Sequence, residues 1–368
     1  MAETTTMVHP YTPDLVYPPG DTLAEVLEEA GMTQAELALR TGLSTKHVNQ
    51  IVNGQAAITP DTALLLERAT GVRARIWSNL EVAYREYLSQ REEEKRLAGD
   101  VAWLDAFPVA ELIRRGWIRK RDNAAQRVRD LCQFFGVANR SSWEAVWQKP
   151  TAYRTSKAFT SDPGAVAAWL RIGEIRAARV KCAAFDKQGL QGALEDLRAL
   201  TNDDDPESWG PRLVDLCRSV GVAVVVEREI KGARINGAAR WLSPDKALVQ
   251  LSLRYRSNDI FWFTFFHELA HLLLHSKKDT FINDEGAHSG VEQESDAFAS
   301  QALIPRRYEA ELGGLSTPQE VKKFAQRLQI APGIVVGRLQ YDRRWPYSHG
   351  NDLKVRFDPE AVESAVCS

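Results

Sequence analysis

Apolar residues recur at helical spacing from residue 21 to about residue 88, in runs that break at Gly31, Gly42, Gly54 and Gly71. That cadence predicts a compact set of short helices. The last of them continues into residues 86–96, a highly charged stretch that reads as a solvated extension. Further amphipathic helices carrying Trp103, Trp117, Trp143, Trp147 and Trp169 extend to about residue 200. The run Thr201-Asn202-Asp203-Asp204-Asp205-Pro206 reads as a turn or linker. The period then changes. Residues 220–227 (VGVAVVVE) predict a buried strand, and residues 238–242 and 247–253 predict two more, separated by Ser243-Pro244-Asp245. Helices dominate again over residues 260–340. The expected fold is mainly α with a small α+β domain at the C-terminal end.

Composition narrows the class without naming a function. The 368 residues carry 47 basic and 49 acidic side chains, a net charge of -2, which excludes a polybasic protein. The N-terminal residues have neither a basic start nor an apolar core, so no signal peptide is expected. The most apolar run, residues 260–274, is interrupted by His267, Glu268 and His271, which argues against a membrane span. Cys132, Cys182, Cys217 and Cys367 are widely spaced, with no CxxC. Neither a disulfide framework nor a cysteine zinc site is expected, and a reduced cytoplasm fits.

The first chemical signal is His267-Glu268-Leu269-Ala270-His271, an HExxH sequence. On a helix, residues i and i+4 share a face one turn apart, so two imidazoles there can bind one Zn²⁺. Glu268, beside the first histidine, can reach water at the metal as general base. A second segment, Glu292-Gln293-Glu294-Ser295-Asp296, begins twenty-one residues after His271 and has the apolar spacing of a helix. Glu292 is the preferred third ligand, and Asp296, one turn on, can accept the N–H of a ligand histidine. Glu294 is the competing ligand; it faces about 200° away around the helix and lacks an acidic partner at i+4. Two histidines and one glutamate leave a position for water, the mark of a catalytic site. The metzincin pattern fails, because Leu274 and Lys277 stand where glycine and histidine are required.

The runs HELAHLLLH (residues 267–275) and VEQESDAFASQALIP (residues 291–305) together resemble the ImmA/IrrE family of metallopeptidases. The resemblance covers roughly residues 215–342. It implies a zincin-like domain, one zinc per chain held by His267, His271 and Glu292, and Glu268 as the catalytic residue. It also implies a site-specific endopeptidase that cuts a partner transcriptional repressor. Asp296 stands where the family often has asparagine. His275 reads as structural, and the loop histidine His288 as exposed.

Residues 33–44 resemble the first half of a Cro/C1-type helix-turn-helix. Thr33 with Glu36 predicts a capping box, Ala38 is small where two helices cross, Gly42 permits the turn and Ser44 caps the next helix. Residues 45–52 are the expected recognition helix, with Thr45, Lys46, Asn49 and Gln50 suited to base or phosphate contacts. In that family the residue at Gln34 typically bonds a phosphate. The wider pattern, with VNG, ITPDTAL and Trp77-Ser78-Asn79-Leu80, is similar to HigA-type antitoxins. Against double-stranded DNA binding, residues 21–85 hold six basic and eight acidic side chains, a net of -2. Such a module binds weakly unless it dimerises.

The middle is different. Residues 112–157 contain eleven Lys or Arg against Asp122, Asp130 and Glu144, a net of +8. Trp117, Phe134, Phe135, Trp143, Trp147 and Tyr153 are interleaved. Cations with stacking aromatics suit single-stranded nucleic acid, whereas the plainer reading is a solvated face over an aromatic core. The helix-turn-helix cadence at residues 321–339 is assigned to core packing. The expected organisation is an arm (1–20), a helix-turn-helix domain (21–90), a helical basic middle (91–205), a zinc metallopeptidase domain (206–345) and a tail (346–368). The expected function is a bacterial cytoplasmic DNA-binding regulator fused to a zinc endopeptidase. The alternative is a HigA-like antitoxin and autorepressor with a non-proteolytic metal domain, a toxin as partner, and a homodimer in either case.

Overall fold

A computed structural model describes residues 16–148, 162–276, 281–284 and 290–367. The chain forms two compact units, which divide between Gly99 and Asp100. The N-terminal unit is all helical: α1 (Pro19–Glu29), α2 (Gln34–Thr41), α3 (Thr45–Val52), α4 (Pro60–Thr70) and α5 (Ala74–Gly99). Leu23, Leu27, Leu37, Val48, Ile51, Leu66 and Trp77 form its core, each at most 4% exposed. The helix starts follow capping chemistry. Thr33 Oγ1 accepts from the Glu36 amide, Ser44 Oγ from His47 and Thr59 Oγ1 from Thr62. Gly42 ends α2 in the left-handed conformation (φ 73°) that glycine adopts without a Cβ clash. The capping box expected at Thr33 is only half formed, because the Glu36 carboxylate pairs with Arg40 one turn on.

The C-terminal unit holds α6 (Val109–Arg114), α7 (Ala124–Phe135), α8 (Pro163–Arg179) and α9 (Pro206–Ser219), followed by β1 (Val222–Val226), β2 (Ile235–Ser243) and β3 (Lys246–Leu251). Then come α10 (Asn258–Leu274), β4 (Phe281–Asp284), α11 (Gly290–Leu303), α12 (Pro318–Leu328), α13 (Pro332–Tyr341) and α14 (Pro359–Cys367). The sheet order is β1-β3-β2-β4. β1 runs parallel to β3, β2 and β3 form an antiparallel hairpin, and β4 pairs antiparallel with β2. Alternation along β1 divides the sheet between two cores. Val222, Val224 and Val226 belong to the large core that contains α10, whereas Ala223 and Val225 cluster with Leu248 and Ala177 of α8. Both faces are covered, so β1 is apolar throughout rather than alternating.

Three expectations change. β4 falls inside the stretch read as helical. The middle segment does not stand apart, since α8 supplies one cover of the sheet. Residues 346–367 do not trail off: Phe357, Val362 and Val366 are buried in the large core, and α14 packs on α9 and β1. A sheet with two apolar faces draws in whatever helices can cover it. Four of the middle aromatics are also inside. Phe134, Phe135, Trp143 and Trp147 are at most 6% exposed and stack on one another with ring centroids 4.9–5.8 Å apart, so they offer no surface to bases. Tyr153 and several of the cations lie outside the described residues. The helices α12 and α13 bury Val321, Phe324, Ile334 and Val335 in the core. Among the described residues, no helix is long and apolar enough to cross a membrane.

Val362→Ala is expected to lower the stability of the C-terminal unit by about 2 kcal/mol, the value of two buried methyl groups plus the cavity they leave. Chemical denaturation followed by tryptophan fluorescence measures it. A loss under ~0.5 kcal/mol would be the response of a peripheral tail.

Candidate metal centre and DNA-reading helix

The helix α10 is apolar almost all round. Phe261, Trp262, Phe265, Phe266, Leu269, Leu272 and Leu273 are buried, and so are His267, Glu268 and His271, each at most 2% exposed. The helix α11 lies along it and presents Glu292, Ser295 and Asp296, spaced i, i+3 and i+4 on one face. His267 Nε2 is 3.1 Å from His271 Nε2 and 3.0 Å from Glu292 Oε2, and His271 Nε2 is 3.7 Å from Glu292 Oε1. The three donor groups converge with their ligand atoms within 4.8 Å of one another.

The outer ring nitrogens fix which lone pairs point inward. His267 Nδ1 is 2.9 Å from Asp296 Oδ1, an acceptor, so it carries the proton and leaves Nε2 free. Ser295 Oγ donates to the Val291 carbonyl, which leaves its lone pair for His271 Nδ1 at 3.3 Å. Three inward lone pairs repel unless a proton or a cation lies among them. The 3.1 Å spacing of the imidazole nitrogens is near the roughly 3.3 Å that tetrahedral Zn²⁺ with ~2.0–2.1 Å bonds requires. The donor set therefore fits a divalent metal. Without one, burial disfavours the charged His267 ring, but the Asp296 and Glu292 hydrogen bonds prevail and raise its pKa to about 10. Protons and metal thus compete for the same site.

Glu268 is fully buried, and neither carboxylate oxygen has a hydrogen-bond partner among the described residues. Burial pushes its pKa up to about 8, against the pull of His267 and with the push of Glu292. Gly237 on β2 makes room for it: a Cβ there would lie 2.7 Å from both Glu268 Oε1 and Thr264 Cγ2. Beside this cluster is a cavity of about 320 Å³, lined by Ile260, Phe263, Thr264, Asp296, Ile304 and Ile334 among others. Glu294 turns away and pairs with His275 at 3.2 Å, and His275 Nδ1 is 3.1 Å from His271 Nδ1. Sequence reasoning missed Ser295 and Gly237. Ser295 lies one helical turn after Glu292, a legible signal; nothing in the sequence pairs Gly237 with Glu268. His288 lies outside the described residues.

On the N-terminal unit, Ser44, Thr45, Lys46 and Asn49 are exposed on α3 and its cap, and Gln50 and Gln34 are half-buried. Asn49 is held on two sides: its Nδ2 donates to Gln34 Oε1 at 3.2 Å, and Asn53 Nδ2 donates to its Oδ1 at 3.0 Å. That tie fixes the side chains where α2 meets α3.

Fold and sites together define a DNA-binding regulator joined to a metallopeptidase-family domain. The Helix-turn-helix family model matches residues 23–77, and the IrrE N-terminal-like domain matches residues 239–340. The chain is similar to Virulence-associated protein I of Dichelobacter nodosus, 38% identical over 79 residues, 21% of this chain and 71% of that protein. It is also similar to the Uncharacterized HTH-type transcriptional regulator YddM of Escherichia coli, 30% identical over 66 residues, 18% of this chain and 70% of that one. A solved structure, an addiction module antidote protein of a HigA family from Coxiella burnetii, shares 32% identity over 23% of this chain and 94% of that one, with a TM-score of 0.22. The chain belongs to the helix-turn-helix family of DNA-binding regulators through its N-terminal unit, and its C-terminal unit carries an IrrE N-terminal-like domain.

His267→Ala and Glu292→Ala are each expected to lose most bound divalent metal, while Glu294→Ala retains it; elemental analysis after purification without chelators checks this. On DNA, Lys46→Ala and Asn49→Ala are expected to weaken specific binding by ~1–3 kcal/mol each where they meet a base. Footprinting and titration at ~150 mM salt measure that loss, and equal affinity for random DNA would remove the assignment.

Proposed function

We propose that this regulator is a zinc-dependent endopeptidase that cleaves a partner protein, with a transcriptional repressor as the favoured substrate class. The observation that carries the reading is the meeting of His267, His271 and Glu292 around one point, with the buried carboxylate of Glu268 left without a hydrogen bond among the described residues. Such an orphan carboxylate costs free energy to bury, which a fold tolerates where the group has work to do. Zn²⁺ held by those three side chains would supply Lewis-acid polarisation of the scissile carbonyl.

The chain's own groups do the rest. Asp296 and Ser295 keep the Nδ1 protons outward, so both Nε2 lone pairs face inward. Glu268, raised to about 8 by burial, is matched to taking a proton from water and passing it to the departing amine near neutral pH. The neighbouring cavity, with Ile260, Phe263, Ile304 and Ile334 in its wall, suits an apolar substrate side chain. A repressor is favoured because a DNA-reading unit on the same chain raises the effective concentration of the peptidase near other DNA-bound proteins.

Glu268→Gln keeps the side-chain size but cannot accept the proton. It is expected to lower cleavage by about 10²–10⁴-fold with metal content and DNA binding unchanged. Induction of wild type against Glu268→Gln, with identification of newly cut proteins, tests it. Undiminished cleavage by the variant would remove this mechanism. Repression by wild type with no cleaved protein would favour an autorepressor of the antitoxin kind.

A further inference from the structure

We propose that the arginine-lined cleft of the C-terminal unit binds a small phosphorylated molecule of nucleotide size. The cleft encloses about 540 Å³, within the roughly 300–1,000 Å³ of small-molecule sites. Its lining includes Arg114, Arg115, Arg176, Arg228, Arg254 and Arg256. These come from α6 and its end, from α8, and from the segments after β1 and β3. The fold gathers them; no single stretch of sequence does. None belongs to the metal donor set.

Charge balance decides against a closed lattice of ion pairs. Three carboxylates line the cleft with the six guanidinium groups, Glu227, Glu229 and Glu363, and Glu111 and Glu360 pair with Arg115 and Arg228 from outside the lining, which leaves +1. Two of these carboxylates are each shared between two arginines. Glu227, 2% exposed, meets Arg115 at 3.0 Å and Arg176 at 2.8 Å. Glu363 meets Arg176 at 2.5 Å and Arg228 at 3.1 Å. Arg115 also donates to the carbonyls of Arg228 and Glu229. These pairs fix the inner wall, while the mouth keeps unspent charge. Arg256 makes no ion pair within 4.0 Å among the described residues, and Arg114, 74% exposed, reaches only Glu111 at 3.7 Å.

A second observation points the same way. Arg256 has φ 53°, a left-handed backbone that non-glycine residues seldom adopt and that clusters at functional sites. Its carbonyl accepts from the Phe357 amide at 2.8 Å, which holds the turn. Trp117 forms part of the wall, with the Arg176 guanidinium 5.9 Å from its ring centroid, and supplies an aromatic surface for a planar ring. Guanidinium forks match phosphate oxygens in pairs, and Arg114 and Arg256 hold the least committed charge in the lining.

Calorimetry on the full chain tests this with inorganic pyrophosphate, ATP, GTP, adenosine and a decaglutamate peptide. Pyrophosphate and at least one triphosphate are expected to bind saturably, and adenosine is not. Arg256→Asn, which keeps a residue tolerant of the left-handed backbone, and Arg114→Ala should each weaken binding by about tenfold. Trp117→Leu that weakens the nucleotide and spares pyrophosphate identifies a nucleotide as the ligand; equal affinities identify a phosphate group alone. His267→Ala should bind as wild type does, which separates the cleft from the metal donors. The proposal falls if neither pyrophosphate nor a triphosphate binds, if both arginine variants bind as wild type, or if His267→Ala abolishes binding. It also falls if decaglutamate binds in preference, which would make the cleft a surface for an acidic protein.

Discussion

His267, Glu268 and His271 are buried one after another in the apolar second half of α10, and the C-terminal unit is arranged around that fact. His267, Glu268 and His271 are sealed from water among phenylalanine, tryptophan and leucine side chains. An unpartnered buried polar group costs roughly 1–3 kcal/mol, and an unpaired charge more. The helix α11 answers this cost with three side chains on one face: Glu292 between the imidazoles, Ser295 and Asp296 behind them. Glu268 alone receives no such answer, only the space that Gly237 leaves on β2. The two helices must therefore lie in one register. A slip of one residue on α11 would rotate the carboxylate by about 100° away from the imidazoles.

The sheet imposes the second constraint. β1 exposes valines on both faces, so it needs a helix on each side. The helix α10 covers one face and carries His267 and His271; α8, from the basic middle of the chain, covers the other. Glu227, at the end of β1, then brings Arg115 of the middle segment and Arg176 of α8 together. The positive charge of the middle is thus partly spent inside the unit and partly gathered at one cleft.

The N-terminal unit follows local rules more closely. The starts of α2, α3 and α4 carry threonine or serine caps, and two of these helices, α2 and α4, end at glycines with positive φ. Its polar face is organised by short-range hydrogen bonds among Gln34, Asn49 and Asn53. A net charge of -2 over residues 21–85 leaves little unspecific attraction to phosphate.

The sequence by itself determined what depends on neighbours along the chain. The five N-terminal helices, β1 and the two strands on either side of the Ser243–Asp245 turn, and the placing of His267 and His271 one helical turn apart all follow from spacing and caps. So does the placing of Glu292 and Glu294 on different faces of α11, since both belong to one helix whose period separates them. Tertiary structure decided what depends on partners far away in sequence. Four residues of β4 gain strand geometry only by pairing with β2. Val362 and Val366 become core because the sheet edge and α9 need cover, and Trp143 and Trp147 turn inward onto Phe135. Gly237 meets Glu268, and Arg114 and Arg256 line one cleft, because distant segments are packed together. Local periodicity carries no information about such meetings: they are set by which apolar surfaces remain to be buried once the elements have formed.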